Sequence, residues 1–142
     1  MKSVIVRSHM TRDVVSVSQD LDISAATGLL IRHDISGVPV LNIHGRLIGI
    51  LTERDCMKVA LHAGYHDVPY GLVKDYMSRD PESVTPDQSV LTVAEKFIHN
   101  RFRRYPVVDN GRLVGIISRR DVLRALSKYH GMERLSRAST TQ

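Results

Sequence analysis

Apolar residues recur along this chain at two periods, and the switch between them marks out its elements. Ala25, Ala26, Leu29 and Leu30, followed by His33, fall on one face at a period of about 3.6 and predict a helix over 23–33. Asp22 stands just before it, where a side-chain oxygen accepts from an orphan helix N–H. Val90, Val93, Ala94, Phe97 and Ile98 repeat the stripe behind Ser89. Short apolar runs at 38–43 and 47–52, and again at 105–109 and 113–118, predict two hairpins. Asn110-Gly111 is a tight-turn signal, because both central residues of a type I′ turn need positive φ. Helices follow each hairpin, from about Arg54 to Ala63 and from about Arg120 to Tyr129. Gly64 and Gly131 stand where a helix stop is expected.

The elements come in two sets because the chain contains itself twice. Met10-Thr11-Arg12-Asp13 recurs as Met77-Ser78-Arg79-Asp80, an offset of 67. Pro39-Val40 recurs as Pro106-Val107 at the same offset. Gly45-Arg46-Leu47-Ile48-Gly49-Ile50 recurs as Gly111-Arg112-Leu113-Val114-Gly115-Ile116 at 66, one residue having been lost in the turn. Of 50 aligned pairs, 16 are identical, which marks a tandem duplication. Two copies are too few for a solenoid, so they are expected to pack on each other. Each copy reads β-α-β-β-α, an α/β (α+β) class. The expected boundaries are 1–63 for the first repeat with an N-terminal strand, 64–73 for a linker, 74–131 for the second repeat and 132–142 for a flexible tail.

Composition narrows the function classes. The 142 residues are 42% hydrophobic and 25% charged, ordinary for a globular protein. No apolar run reaches the ~18 residues of a membrane span, and the N-terminal apolar stretch is too short for a signal peptide. With a single cysteine, Cys56, no internal disulfide forms; a reducing cytoplasmic location is expected, with Cys56 as a buried thiol on its helix. The net charge of +5 points to an anionic partner: a polymer, a membrane surface or a small ligand. With aromatics at 5% and no Trp, single-strand binding by base stacking is disfavoured. No phosphate-cradling glycine loop or Ser/His/Asp pattern appears. His62 and His66 stand four apart, but Gly64 interrupts the helix between them, so no metal site is expected.

The duplicated landmarks resemble the CBS-domain family, specifically a stand-alone tandem CBS pair, or Bateman module. They are the Met-Thr/Ser openings, Ser36-Gly37-Val38-Pro39-Val40 with Arg103-Arg104-Tyr105-Pro106-Val107, and Gly49-Ile50-Leu51-Thr52-Glu53-Arg54-Asp55 with Gly115-Ile116-Ile117-Ser118-Arg119-Arg120-Asp121. The resemblance covers about residues 5–130. It implies two CBS repeats packed about a pseudo-twofold axis, with clefts that take adenosine ligands: AMP, ADP, ATP, NAD or S-adenosylmethionine. It also implies a homodimer, and regulation rather than catalysis. The segments holding Val17 and Ser18, and Val84 and Thr85, line the cleft in such proteins and read adenine through backbone groups. Val38 and Tyr105, before Pro39 and Pro106, either cover the base or fill the hairpin core.

The residues carry a chemistry consistent with that resemblance. Thr52 and Asp55, like Ser118 and Asp121, stand three apart at a strand-to-helix junction, so both side chains face one end of the helix. An Asp carboxylate accepts from both ribose hydroxyls, a neighbouring hydroxyl donates or accepts, and a helix N-terminus favours anions. The same spacing is equally that of plain helix capping, which needs no ligand; spacing leaves both open, and the resemblance implies ribose contact in at least one copy. Around the second motif lie Arg101, Arg103, Arg104, Arg119 and Arg120; the first copy has Asp34, Ser36, Gly37, Glu53 and Arg54 there. A guanidinium fork matches a phosphate. In the family a basic residue just before the first hairpin strand reaches the ligand phosphate; Arg104 holds that position with Arg103 beside it, and Gly37 departs from it. Arg101 and Arg103 suit a solvated face as well.

The expected function is therefore an adenine-nucleotide sensor that signals to a regulated protein in trans, led by Asp121, Ser118 and Arg104. The alternative is a ligand-independent protein–protein assembly module. A stripe of Leu123, Leu126 and Tyr129 is a candidate dimer face, and equally a candidate part of the intramolecular core. Neither nucleic acid nor a membrane is the expected partner.

Overall fold

The computed structural model describes residues 4–63 and 71–129; Gly64, His66, Gly131, most of the expected linker and the tail lie outside them. The chain divides into two compact units, neither contiguous in sequence. Of the described residues, one unit gathers 15–63, 71–81 and 111–113, the other 4–14, 82–110 and 114–129.

In the first unit, β1 (Val17–Ser18) pairs in parallel with β2 (Gly37–Leu41), which pairs antiparallel with β3 (Leu47–Thr52), and β3 with β4 (Ser78–Arg79). Helix α1 (Ile23–His33) starts at Asp22, whose carboxylate accepts from Ser24 N–H at 3.2 Å. The longer hairpin loop is organised by Asn42, whose side-chain oxygen accepts from the N–H groups of His44 (2.9 Å) and Arg46 (3.0 Å). Helix α2 (Glu53–Ala63) leaves β3 with no intervening loop. The short α3 (Val73–Tyr76) lies where the expected linker gives way to the second repeat.

The second unit repeats this plan. Helix α4 (Val90–Ile98) is capped by Ser89 Oγ, β5 (Arg104–Asp109) and β6 (Arg112–Ser118) form the hairpin, and α5 (Arg119–Tyr129) follows. The turn has φ of 53° at Asn110 and 82° at Gly111, as the Asn-Gly signal requires. Val84 bridges Val107 in parallel, standing in for β1, and Thr11 bridges Ile116, standing in for β4.

Residues 4–14, placed by sequence order with the first repeat, pack in the second unit, and Val6–Ser8 form a 3-10 turn in place of the expected N-terminal strand. The reason lies in their bonding. Val6 N–H donates to Gln88 O (3.0 Å), Arg7 N–H to Pro86 O (2.8 Å) and Val90 N–H to Val4 O (2.8 Å). Shifted by 67, the same three bonds recur in the first unit: Val73 N–H to Leu21 O (2.9 Å), Lys74 N–H to Gln19 O (2.9 Å) and Ile23 N–H to Gly71 O (3.0 Å). Even the ion pairs correspond, Arg7 to Asp87 at 2.8 Å and Lys74 to Asp20 at 3.3 Å. Each copy's leading segment thus completes the other copy's unit.

The two cores match position by position. One holds Val17, Ile23, Ala26, Leu30, Val38, Val40, Leu51, Cys56 and Val59, closed by Val73 and Met77. The other holds Val84, Val90, Val93, Phe97, Tyr105, Val107, Ile117, Val122 and Ala125, closed by Val4, Val6 and, partly buried, Met10. Cys56 takes the place of Val122 and behaves as a small apolar side chain. The Gly-Ile pairs of the repeat explain themselves here. A Cβ on Gly49 would lie 2.6 Å from Met77 Sδ, and one on Gly115 would lie 2.6 Å from Met10 Sδ.

Candidate functional site

The strand-to-helix junctions carry the expected Ser/Thr–Asp pairs, and in both units the pair is bonded to itself. Ser118 N–H donates to Asp121 Oδ2 at 2.9 Å, and Asp121 N–H donates back to Ser118 Oγ at 3.1 Å. In the first unit Thr52 N–H donates to Asp55 Oδ2 at 2.9 Å, Thr52 Oγ1 donates to the same oxygen at 3.0 Å, and Asp55 N–H returns to Thr52 Oγ1 at 3.2 Å. This is a reciprocal cap, satisfying N–H groups a helix start would leave orphaned.

Capping and ligand contact are not exclusive. Each cap uses Oδ2 and leaves Oδ1. Asp55 Oδ1 makes no hydrogen bond with a described residue, and Asp121 Oδ1 has only Arg124 Nη1 at 3.8 Å, too long for a hydrogen bond. A carboxylate has about four lone-pair sites, so a held Oδ2 leaves Oδ1 able to accept from hydroxyls. Asp121 is positioned for this, with its side chain 15% exposed.

The arginines separate into two kinds. Arg119 N–H donates to Arg103 O at 3.0 Å, which sets the residues leading into β5 beside the start of α5. Its guanidinium is engaged as well, Nε donating to Phe102 O at 2.7 Å and Nη2 to Asn100 O at 3.4 Å. Arg119, expected as a ligand contact, thereby latches the 100–103 loop to the helix. The guanidinium groups of Arg103 and Arg104 are exposed and form no ion pair or hydrogen bond with a described residue. The first unit keeps the backbone latch, Glu53 N–H to Ser36 O at 2.9 Å, without the cations.

The other expected contacts are drawn into the cores. Tyr105 and Val38 are each 1% exposed, and Pro39, Pro106, Val17 and Val84 are buried too, so none of these side chains is free to cover a base. The hairpin residues 105–107 are buried in succession, with Tyr105 and Val107 packed in the core against α4 and α5. Val84 N–H donates to Pro106 O (3.0 Å) and Val84 O accepts from Val108 N–H (2.8 Å), so its backbone is occupied by β5. Thr85 and Ser18 are exposed; Thr85 N–H is taken by Gln88 Oε1 at 3.1 Å, and Ser18 Oγ accepts from Asp20 N–H at 3.1 Å. Tyr105 stacks against Phe97 with centroids 4.8 Å apart and its hydroxyl meets the Asn100 side chain. Burial holds its phenol above the ordinary value, while the Asn100 bond pulls the other way. A raised phenol favours the folded, neutral form, so stability is expected to fall as pH rises past about 10. Melting curves at alkaline pH should show that loss blunted in Tyr105→Phe.

One side chain beside the free arginines carried no expectation. Phe102 is 48% exposed and meets Tyr105 edge-on at 5.7 Å. Its signal was an aromatic interleaved with cations, Arg101-Phe102-Arg103-Arg104. The supposed dimer stripe also divides: Leu123 is 56% exposed, Leu126 packs partly buried on the second core, and the Tyr129 side chain lies outside what is described. No helix among the described residues is long and apolar enough to cross a membrane.

The family model of the CBS domain matches the chain twice, over residues 6–62 and 73–128. An uncharacterized protein of Methanocaldococcus jannaschii is 34% identical over 121 residues; the match takes in 85% of this chain and 42% of that protein, so the chain spans less than half of that relative's length. Two solved structures superpose closely. The protein CBSX2 in complex with AMP gives a TM-score of 0.74 at 26% identity, covering 85% of this chain and 94% of that one. The CBS domain pair of protein MJ0100, in complex with 5'-methylthioadenosine and S-adenosyl-L-methionine, gives 0.70 at 27% identity, covering 89% and 98%.

Proposed function

We propose that this chain, which belongs to the CBS-domain family, is a regulatory module that binds an adenosine ligand at the Ser118–Asp121 junction and signals its presence to a protein in trans. The observation that carries the reading is the cap that leaves Asp121 Oδ1 uncommitted beside an arginine pair, Arg103 and Arg104, that nothing among the described residues neutralises. Oδ1 accepts from the ribose hydroxyls and the arginines take the phosphate. AMP, ADP, ATP and NAD all present both groups; S-adenosylmethionine presents the ribose alone. CBSX2 with AMP and protein MJ0100 with S-adenosyl-L-methionine lend the ligand class support. At the first junction, Ser36, Gly37 and Glu53 stand where the second has Arg103, Arg104 and Arg119 and supply no cation for a phosphate, so Thr52 and Asp55 suit an uncharged or cationic adenosine derivative. The module does no chemistry of its own, works in the cytoplasm and forms a homodimer, for which Met57 (60% exposed) and Leu61 (75%) on α2 supply apolar surface.

Thermal denaturation in the presence of AMP, ATP, NAD or S-adenosylmethionine tests this. At ~1 mM, a ligand with a dissociation constant near 10 μM adds about 2.7 kcal/mol, a rise of several degrees in Tm. If none of the four raises Tm, the alternative of a ligand-independent assembly module takes over, since both caps are complete without any ligand. Asp121→Asn separates the roles within the site. The amide oxygen still accepts from Ser118 N–H, so Tm is expected to hold within about 1 kcal/mol, while nucleotide affinity falls roughly 10- to 100-fold with the loss of a charged acceptor. Titration calorimetry reads the second quantity.

A further inference from the structure

Helix α5 has two faces, and only one is accounted for. Val122 (4% exposed) and Ala125 (1%) enter the second core. On the opposite side Arg119, Arg120, Leu123, Arg124, Ser127 and Lys128 line a hollow along the helix. Their spacing of one, three and four makes them a single stripe. The stripe carries four cations and no acid; the Arg119 guanidinium is already held by the Asn100 and Phe102 carbonyls, so the charge open to a partner centres on Arg120 and Arg124, both exposed. Asp121, the one acidic residue of α5, is turned toward Ser118, and its contact with Arg124 is 3.8 Å long with Arg124 73% exposed, a pair solvent screens heavily. In the middle of the cations sits Leu123, 56% exposed.

The fold does not require this arrangement, because the duplicate helix does without it. At the corresponding positions α2 has Glu53, Arg54, Met57, Lys58, Leu61 and His62, one acid against two cations and two exposed apolar residues. We propose that the outer face of α5 docks an acidic segment of a partner protein, one whose carboxylates flank an apolar anchor. Arginine forks bind carboxylates in bidentate fashion, and an apolar side chain laid on Leu123 removes both from water. Other occupants fit less well. A second copy of the chain would set four cations against four on α5, or against the net positive face of α2. A nucleic-acid duplex satisfies the arginines but leaves Leu123 facing phosphate, and one leucine gives a lipid surface little to hold. The chain's charge of +5 steers an acidic partner toward it. The inference goes beyond the nucleotide reading and does not need it: Arg120, Leu123 and Arg124 are outside the proposed ligand contacts.

Fluorescence anisotropy with the whole chain tests it. The probe is a short labelled helical peptide carrying glutamates around two leucines one turn apart, at about 0.15 M salt. Saturable binding is expected, weakened about tenfold in Arg120→Ala/Arg124→Ala and several-fold in Leu123→Ser. A peptide with serine for its leucines should bind worse, as should a generic DNA duplex and phosphatidylserine vesicles. All three substitutions are at exposed positions, and unchanged Tm in the variants, with the adenosine-ligand response measured alongside, keeps a failure here distinct from failure of the nucleotide reading. The proposal is overturned by an absence of saturation, by binding indifferent to the double substitution, or by a duplex or vesicle that binds more tightly than the peptide.

Discussion

Deleting residues 1–10 should unfold the second repeat and spare the first. The deletion removes Val4 and Val6, at 8% and 0% exposure, and Met10 from the core that contains Phe97, Tyr105 and Val122. Three apolar side chains at about 1.5–3 kcal/mol each amount to roughly 4.5–9 kcal/mol, close to the whole stability of a small domain. The three backbone bonds to Gln88, Pro86 and Val90 are lost with them. Hydrogen exchange should therefore show protection collapsing across 84–129 and persisting across 15–63. The reverse pattern, with the first repeat losing protection, would mean the leading segment serves its own copy. Val6→Ala is the milder form, expected to cost about 2–3 kcal/mol by the same route.

The second large effect is expected at two glycines. In Gly115→Ala the new methyl meets Met10 Sδ at 2.6 Å and Thr11 O at 2.9 Å; in Gly49→Ala it meets Met77 Sδ at 2.6 Å and Ser78 O at 2.8 Å. The thioether can swing aside, but the carbonyl cannot move freely. Thr11 and Ile116 exchange two hydrogen bonds, of 2.8 and 2.9 Å, and withdrawing the carbonyl breaks that bridge. Each substitution should cost about 2–4 kcal/mol and lower Tm by on the order of 10 °C. Met10→Ala placed in the Gly115→Ala background should recover only the part due to sulfur. Full recovery would show that the carbonyl does yield.

Much of this was legible in the sequence, and the illegible part has a definite cause. Asp22 and Ser89 were readable as caps and Asn110-Gly111 as a turn, because each signal is local: a side chain bonding its own backbone two residues on, or a φ that only certain residues adopt. The duplication was readable too. The exchange of leading segments was not. An offset of 67 makes Val6 equivalent to Val73 and Met10 to Met77 whether each serves its own copy or the other, since both arrangements preserve the same equivalence. Periodicity reports that a residue is buried, never in which core. β1 and β4, two residues each, are too short to carry a period at all. At the site, the Ser/Thr–Asp spacing gave the pairs correctly as side chains that meet. It could not reveal that Arg119 would be taken by the carbonyls of Asn100 and Phe102, because that depends on how an irregular loop turns back. For Tyr105 the sequence left base cover and hairpin core both open, since three buried residues in succession break the alternation that would have decided between them.

The exchange also sets where such a protein can be recombined. A chimera cut in the stretch between α2 and α3 would transfer a complete sequence repeat yet bring together both a Met10 and a Gly115, and a Met77 and a Gly49, of different ancestry. A crossover pair after residues 14 and 81 would instead move the continuous part of a packing unit. Met77 then travels with Gly49 while Met10 stays with Gly115, and only residues 111–113 of that unit are left behind. The stretch of chain that is inherited as a piece and the stretch that folds as a piece are offset by one short segment, which ties each copy's glycine to a methionine in its neighbour's share of the gene.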